Sequence, residues 1–452
     1  MAEFLQILAL LILVVVFVWP KLGTFLIWLI LFTYPHGWWA YNSILPLNIG
    51  YDDLFCISLF LIVFLRRNIL GGMPIRFGYA FWVITAFSII GVIANVSGMI
   101  SSVEFTHTAY IKDILKMGVY WCLFYSILHC IDNERDLKFQ YTMFSIAAVI
   151  GAVLVILQYY FPYRLEIFAL PTALAEGGFR YGDRGSGAFT NPNAAACVLV
   201  CSLVMVVVAL RLQKKFISKA VIYSFIFVLL SGILFTRSRA GLLALVGVIA
   251  PMALVGRSKK IAWMVFLATI IVSIYFAGIR ELYQERVSEV YDPSSGAWGQ
   301  NVVGRVDMWK RYFATASLKD YVLGQGPRQG ILKNEMESHS AYVSLITVYG
   351  VAAVIWAIFS LIFFLKKVLG LRHLQDPLIT AVSRGCFWAL VAWGIYATSS
   401  DAITSQYPRY LLFYFVVLLD RVSFFARQQQ AEWFYGQETD IRQLPLEPEL
   451  VY

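Results

Sequence analysis

The sequence predicts an all-α integral membrane protein, a polytopic bundle of about 12–13 transmembrane helices with a large extracytoplasmic loop that contains an amphipathic helix. Three observations carry that prediction. Hydrophobic residues make up 60% of the 452 positions and charged residues only 14%. Apolar runs of about 20 residues, the length a bilayer core requires, recur along the chain, and the mean hydropathy is +0.71. Basic residues gather in every second connection between these runs. No segment alternates with the period of a lipid-facing strand, which excludes a β-barrel.

The first apolar run, Phe4 to Val18, has no basic n-region and no small-residue cleavage site, so it reads as a retained helix. Further spans fall at roughly 22–34, 54–65, 78–98, 111–130, 140–161, 193–212, 217–235, 240–256, 261–278, 341–365, 382–399 and 409–425. Pro20 and Lys21 either break a hairpin or kink one helix near the start. The membrane domain is expected over residues 1–426, followed by a polar, flexible cytoplasmic tail over 427–452. All six cysteines lie in or beside apolar runs, which suggests neither a disulfide framework nor a thiolate metal site.

Orientation follows from the basic clusters Arg66/Arg67/Arg76, Arg135/Lys138, Arg211/Lys214/Lys215/Lys219, Arg257/Lys259/Lys260 and Lys366/Lys367/Arg372. These mark cytoplasmic connections, so the net charge of +9 reads as membrane topology and not as nucleic-acid binding. The long loops 162–191 and 280–339 then face outward and form the expected active site. Lys112 and Lys116 run against this trend, and two readings stand: interfacial snorkels or part of a site.

The first outer loop ends in GGFRYGDRGSGAFTNPN, in which Asn191 can cap a helix and Pro192 suits its first position. It is either a plain glycine-rich turn or an anion cradle, because Arg180 and Arg184 precede a helix N-terminus whose free amides also favour negative charge. A tight outer connection, LFTRSRAGLLAL, carries Arg237 and Arg239; residues two apart on a helix point in nearly opposite directions, and Arg239 is expected to face the bundle.

In the second outer loop, Val302, Val306, Trp309, Phe313 and Ala316 share one helical stripe, predicting an amphipathic helix laid on the membrane domain. Arg305 flanks that stripe and either snorkels or points to a pocket, whereas Asp307 and Arg311 lie well off it. Glu335 and Glu337 alternate near His339, but one histidine and two carboxylates in an unpatterned loop do not make a metal site. His339 itself sits where the polar loop meets an apolar helix, on the same face as the outer arginines; loop residue and site residue both remain open at this point.

The segments RYGDRGSGAFTNPN, TRSRAGLLAL, GRVDMWKRY, GQGPRQG and SHSAYVSLITVYG resemble, in order and topology, the O-antigen ligase and O-antigen polymerase superfamily, over roughly Tyr141 to Phe415. Where the family usually has asparagine after the histidine, this chain has Ser340. The resemblance implies a GT-C-like membrane glycosyltransferase at the outer face of the bacterial inner membrane. Its donor would be a glycan on a polyprenyl (undecaprenyl) diphosphate, and its acceptor a saccharide or lipid A core, in lipopolysaccharide or exopolysaccharide assembly. The family's roles carry over to Arg239 and Arg305 on the diphosphate, with Arg180 or Arg184 assisting, and to His339 as catalytic residue.

The chemistry is consistent with those residue types. A departing diphosphate needs positive charge, and arginine supplies a permanent charge in a fork that matches phosphate oxygens. An acceptor hydroxyl must lose its proton as it attacks, and an imidazole titrates in a useful range for that work. The expectation is therefore a metal-independent, inverting transferase without a cofactor, with a slight preference for polymerase over ligase. The alternative class is a polysaccharide or lipid flippase, which would spread polar groups along a route through the membrane; here they concentrate on one side.

Overall fold

The computed structural model describes residues 11, 14–33, 51–101, 107–161, 184–189, 191–212, 216–255, 291–292, 297–298, 300–327, 338–371, 376–400 and 402–442. The expected span at 261–278, Arg180, Glu335 and Glu337 lie outside them.

Helices dominate. In chain order they are α1 (Pro20–Thr33), α2 (Tyr51–Val63, prolonged by a π-helical turn over Phe64–Ile69), α3 (Tyr79–Ser101), α4 (His107–Cys130), α5 (Glu134–Tyr160), α6 (Pro192–Ala209), α7 (Phe216–Thr236) and α8 (Arg239–Val255). A two-residue antiparallel pairing, Tyr291–Asp292 with Ala297–Trp298, precedes α9 (Gln300–Thr315). Then come α10 (Leu318–Leu323), α11 (Ala341–Thr347), α12 (Val351–Leu371), α13 (Pro377–Ala397) and α14 (Gln406–Arg442). Among the described residues, six helices are long and apolar enough to cross a membrane: α3, α5, α6, α7, α12 and α13. The chain is a multi-pass, all-α membrane protein.

Local chemistry sets the helix starts. Asn133, Asn191 and Asp376 each accept a hydrogen bond from a first-turn amide, of Asp136, Ala194 and Ile379 respectively, and Pro192 and Pro377 follow two of these caps. Ser317 and Asp320 form a reciprocal capping box on α10. The helix expected to give way to a flexible tail at Arg427 instead continues to Arg442, because no proline interrupts that stretch.

Helix α6 is the centre of the bundle: 89% of its apolar window is buried, against 11% for α12, whose many exposed isoleucines, leucines and phenylalanines face outward as lipid contacts would. Around α6 pack α5, α7, α8, α13 and α14. Two ends of the bundle can be told apart by their chemistry. At one, Arg67 and Arg76 meet Asp132, and Lys367 approaches Asp420 at 3.6 Å. Basic connections remote in sequence thus converge there, as the charge pattern predicts. The other end, reached by following α5 from Glu134 to Tyr159, holds Arg237, and it is there that the described residues of the two long loops assemble.

Lys116 is not a snorkel. Its Nζ lies 2.6 Å from Asp53 Oδ1, in a pair whose aspartate side chain is 2% exposed, so the lysine ties α4 to α2 inside the protein. A lone charge at this depth is costly and demands a counter-ion, which the sequence, read one helix at a time, does not reveal.

Candidate active site

Four segments build the site. The first is the turn between α7 and α8. Ser238 caps α8, accepting from Gly241 N at 3.1 Å, and α8 comes so close to α6 that a side chain at Gly241 would collide with Ala196. Arg237 adopts φ +49°, a left-handed conformation uncommon outside glycine and asparagine. Helical spacing therefore does not govern the two arginines, and both are at least partly enclosed. Arg237 is the more enclosed one, 6% exposed, donating to Tyr159 Oη at 2.6 Å with its guanidinium 5.0 Å from that ring. Arg239, at the first position of α8, is half-buried at the bundle's end.

The second segment is the end of the long loop before α6. Arg184 Nε donates to the Thr236 carbonyl at 3.1 Å and its Nη2 to Asn193 Oδ1 at 2.9 Å, and Ser238 Oγ donates to that same amide oxygen at 2.8 Å. Asn193 thus joins Arg184 to the turn that carries Arg239. Gln158 Oε1 accepts from the amides of Ser186 and Gly187 at 2.7 and 2.6 Å, with Gly187 at φ +58°, and so pins the loop to α5. Sequence reasoning missed Asn193 and Gln158; the only available signal for Asn193 was its place one residue inside a capped helix.

The third is α9. Its packed face keeps Trp309 of the expected stripe but not Val306 and Phe313, which are exposed; Tyr312 is buried, and Met308 lies against the core with Trp309. Arg305 belongs to the packed face. It donates to the Ser399 carbonyl at 3.1 Å, and its pKa is lowered first by burial and then by the nearby positive charge of Arg239. Arg305 and Arg239, 66 residues apart in the chain, are brought within electrostatic reach of one another. Among the described residues Arg305 pairs with no carboxylate. Asp307 and Arg311 are exposed on the far side of the helix.

The fourth is the approach to α11. Ser338 and Ser340 are buried, and Ser338 Oγ bonds the Ser340 carbonyl at 3.0 Å and Ser344 Oγ at 2.7 Å. His339 between them stands exposed at φ +50°. Trp309 Nε1 donates to the Ser338 carbonyl at 2.9 Å, and Ala341 N donates to the Ser400 carbonyl at 3.1 Å. The histidine backbone and Arg305 are therefore held by the same two supports, α9 and the turn after α13. Strained backbone of this kind persists only where surrounding contacts over-determine it, and it gathers at functional sites. The turn, with Ser399 and Ser400, was not singled out from sequence; the polar run Thr398–Asp401 after an apolar span was its only trace.

Arg184, Arg239, Arg305 and His339 thus lie at one end of the bundle, with Arg184 and Arg239 joined through the Asn193 junction and Arg305 and His339 through α9 and the turn after α13. Among the described residues, no group of three or more histidine, cysteine, aspartate or glutamate side chains is placed to hold a metal ion.

Residues 224–358 match the family model for O-antigen ligase. The matched segment is less than half of the chain, yet it runs from α7 into α12 and contains Arg239, Arg305 and His339. It supports placement of the protein in the O-antigen ligase and polymerase superfamily, whose members are glycosyltransferase-like ligases and polymerases acting in polysaccharide biosynthesis. Arg184 and the Ser399–Ser400 turn fall outside the O-antigen ligase segment and are joined to it only in three dimensions. No curated protein matches the chain significantly.

Proposed function

We propose that the protein transfers a glycan from a polyprenyl diphosphate carrier to an acceptor saccharide, with the site facing away from the cytoplasm. The observation that carries this reading is the Arg239–Arg305 pair. Two guanidinium groups lie within electrostatic reach of one another, beside a backbone that projects His339, and together they offer positive charge and planar forks to a diphosphate.

In the proposed reaction the acceptor hydroxyl attacks the anomeric carbon of the donor from the face opposite the diphosphate. The hydroxyl proton passes to His339, the new C–O bond forms as the bond to the diphosphate oxygen breaks, and the anomeric configuration inverts. Arg239 and Arg305 stabilise the charge that develops on the departing diphosphate, and Arg184, fixed by Asn193 and Thr236, extends the positive field on the α6 side. No step in this scheme uses a metal ion or a cofactor.

Both a lipid-linked glycan (polymerase) and lipid A core (ligase) would enter such a site, and the polymerase reading is the slightly preferred one. The experiment is to incubate purified protein with lipid-linked repeat units, with and without lipid A core, and to resolve products by length. A ladder of lengthening chains without core supports the polymerase; product only when core is added supports the ligase; no transfer in either arm removes the proposal.

A further inference from the structure

The end of the bundle opposite His339 contains a cavity of about 380 Å³ lined by Trp19, Lys21, Arg66, Arg67, His129 and Asp132, among others. Its two arginines sit on the π-helical turn that ends α2. Turns of this type are rare and occur frequently at functional sites. This one places the neighbours on different partners: Arg66 Nη1 reaches the carbonyls of Phe17 and Val18 at 2.5 and 3.0 Å, and Arg67 Nη1 reaches the His129 carbonyl and Asp132 Oδ1, each at 2.5 Å.

The charges around the cavity do not balance. Lys21, Arg66, Arg67 and Arg76 share Asp132 and Asp136, while the neighbouring Arg421 has Asp420 beside it. Asp132 serves three of them, at 2.5 Å from Arg67, 2.6 Å from Arg76 and 3.6 Å from Lys21, and Asp136 serves Lys21 at 2.7 Å. His129 adds no charge: its Nε2 accepts from Arg76 N at 3.0 Å, so the ring carries its proton on Nδ1, toward the Tyr125 carbonyl at 2.9 Å. Arg67 Nε is buried without a partner, and the pKa of Arg76 is lowered first by burial and then by Arg67. The surplus is about two positive charges.

The rim is apolar. Val18, Trp19 and Met73 line the mouth and are 46%, 61% and 49% exposed, with Phe17 and Leu70 exposed nearby. A tryptophan beside lysine and arginine at the end of spanning helices is the arrangement that sits at a membrane–water interface. Such a mouth opens toward acyl chains, and its floor offers charge to phosphate.

We infer that this cavity binds the head group of a doubly anionic phospholipid, two phosphodiesters against Lys21, Arg66 and Arg67 with acyl chains over Trp19 and Met73. A surplus of two charges fits two phosphates, and basic pockets between spanning helices are a known mode of lipid recognition. Inorganic diphosphate offers the same anion without chains, and the test separates the two.

The test is native mass spectrometry of the full-length protein titrated with cardiolipin, with phosphatidylcholine and with inorganic diphosphate. One cardiolipin should be retained at least tenfold better than phosphatidylcholine. The Lys21→Gln/Arg66→Gln variant should lose at least tenfold of that retention, and Arg135→Gln, on an exposed site outside the cavity, should lose none. Because Arg66 also holds two carbonyls, Arg66→Lys is measured beside it and should keep the preference. Asp132→Asn, which deletes a negative charge from the cavity, should tighten retention. Equal retention of both lipids, or undiminished retention by the double variant, would overturn the site; diphosphate bound as tightly as cardiolipin would overturn the lipid assignment.

Discussion

Arg305 donates to the Ser399 carbonyl at 3.1 Å, and this bond fixes the amphipathic helix α9 to the end of the spanning helix α13. The neighbouring carbonyl, of Ser400, receives the amide of Ala341, so one turn positions both the arginine and the segment that carries His339.

If Arg239 and Arg305 engage phosphate oxygens through their planar forks, lysine keeps the charge and loses the match. Alanine at either position should lower transfer by about a hundredfold, on the order of 3 kcal/mol of transition-state stabilisation. Arg239→Lys and Arg305→Lys should be clearly impaired, while Arg311→Lys, exposed on the other side of α9, should retain activity. The measurement is glycan transfer at matched expression. Equal rates for all three lysine variants would remove the fork argument.

Asn193 acts by holding others. Its Oδ1 accepts from both Arg184 and Ser238, and Asn193→Ala leaves two donors at this junction without their acceptor. The expected cost is about 1–3 kcal/mol of stability. Transfer should fall as well, with Asn193→Asp recovering more of both than alanine. A melting curve and a transfer assay on the same preparations check this; an unchanged Asn193→Ala would show the junction to be dispensable.

The Lys116–Asp53 pair gives a stability prediction away from the site. Asp53→Asn leaves an inadequately compensated lysine, 19% exposed, and should cost about 3–5 kcal/mol. The paired change Asp53→Leu/Lys116→Met should recover most of that loss. Thermal unfolding in one detergent decides it, and a double variant no better than the single would contradict the account.

Membrane orientation is tested at exposed sites. Ser186 and Ser338, within the long-loop motifs, are too buried to report, whereas Lys310 on α9 has a side chain 75% exposed and Lys138 is exposed near the start of α5. With the native cysteines replaced, Lys310→Cys should react with a membrane-impermeant thiol reagent in cells with an intact cytoplasmic membrane. Lys138→Cys should react only once that membrane is broken; the reverse pattern would place the site on the cytoplasmic side.

These residues also show how far the sequence could be read. Helix starts were legible because caps are local: Asn191 and Pro192 open α6 as their residue types require. The motif order singled out Arg239, Arg305 and His339, all of which lie within the matched segment. The packed face of α9 was not legible, because at a membrane surface apolar side chains turn toward lipid as readily as toward protein, and the stripe through Val306 and Phe313 points outward. Arg237, and not Arg239, is the more deeply buried of the two because a left-handed residue lies between two helices, where helical spacing has no meaning. The partnership of Lys116 with Asp53 and the supports of Arg305 at Ser399 and of Ala341 at Ser400 join distant segments, and no local pattern encodes them.

The central claim is that His339 takes the proton of the acceptor hydroxyl, and the most direct measurement is transfer by His339→Ala and His339→Gly beside the wild type, each with its melting temperature. At φ +50° glycine is relieved of a strain on the order of 1 kcal/mol that histidine and alanine bear, so His339→Gly should be no less stable than His339→Ala. Both should turn over about 10²–10⁴-fold more slowly than wild type. Wild-type transfer by a stably folded glycine or alanine variant would contradict the account, and would leave His339 as a residue of the loop.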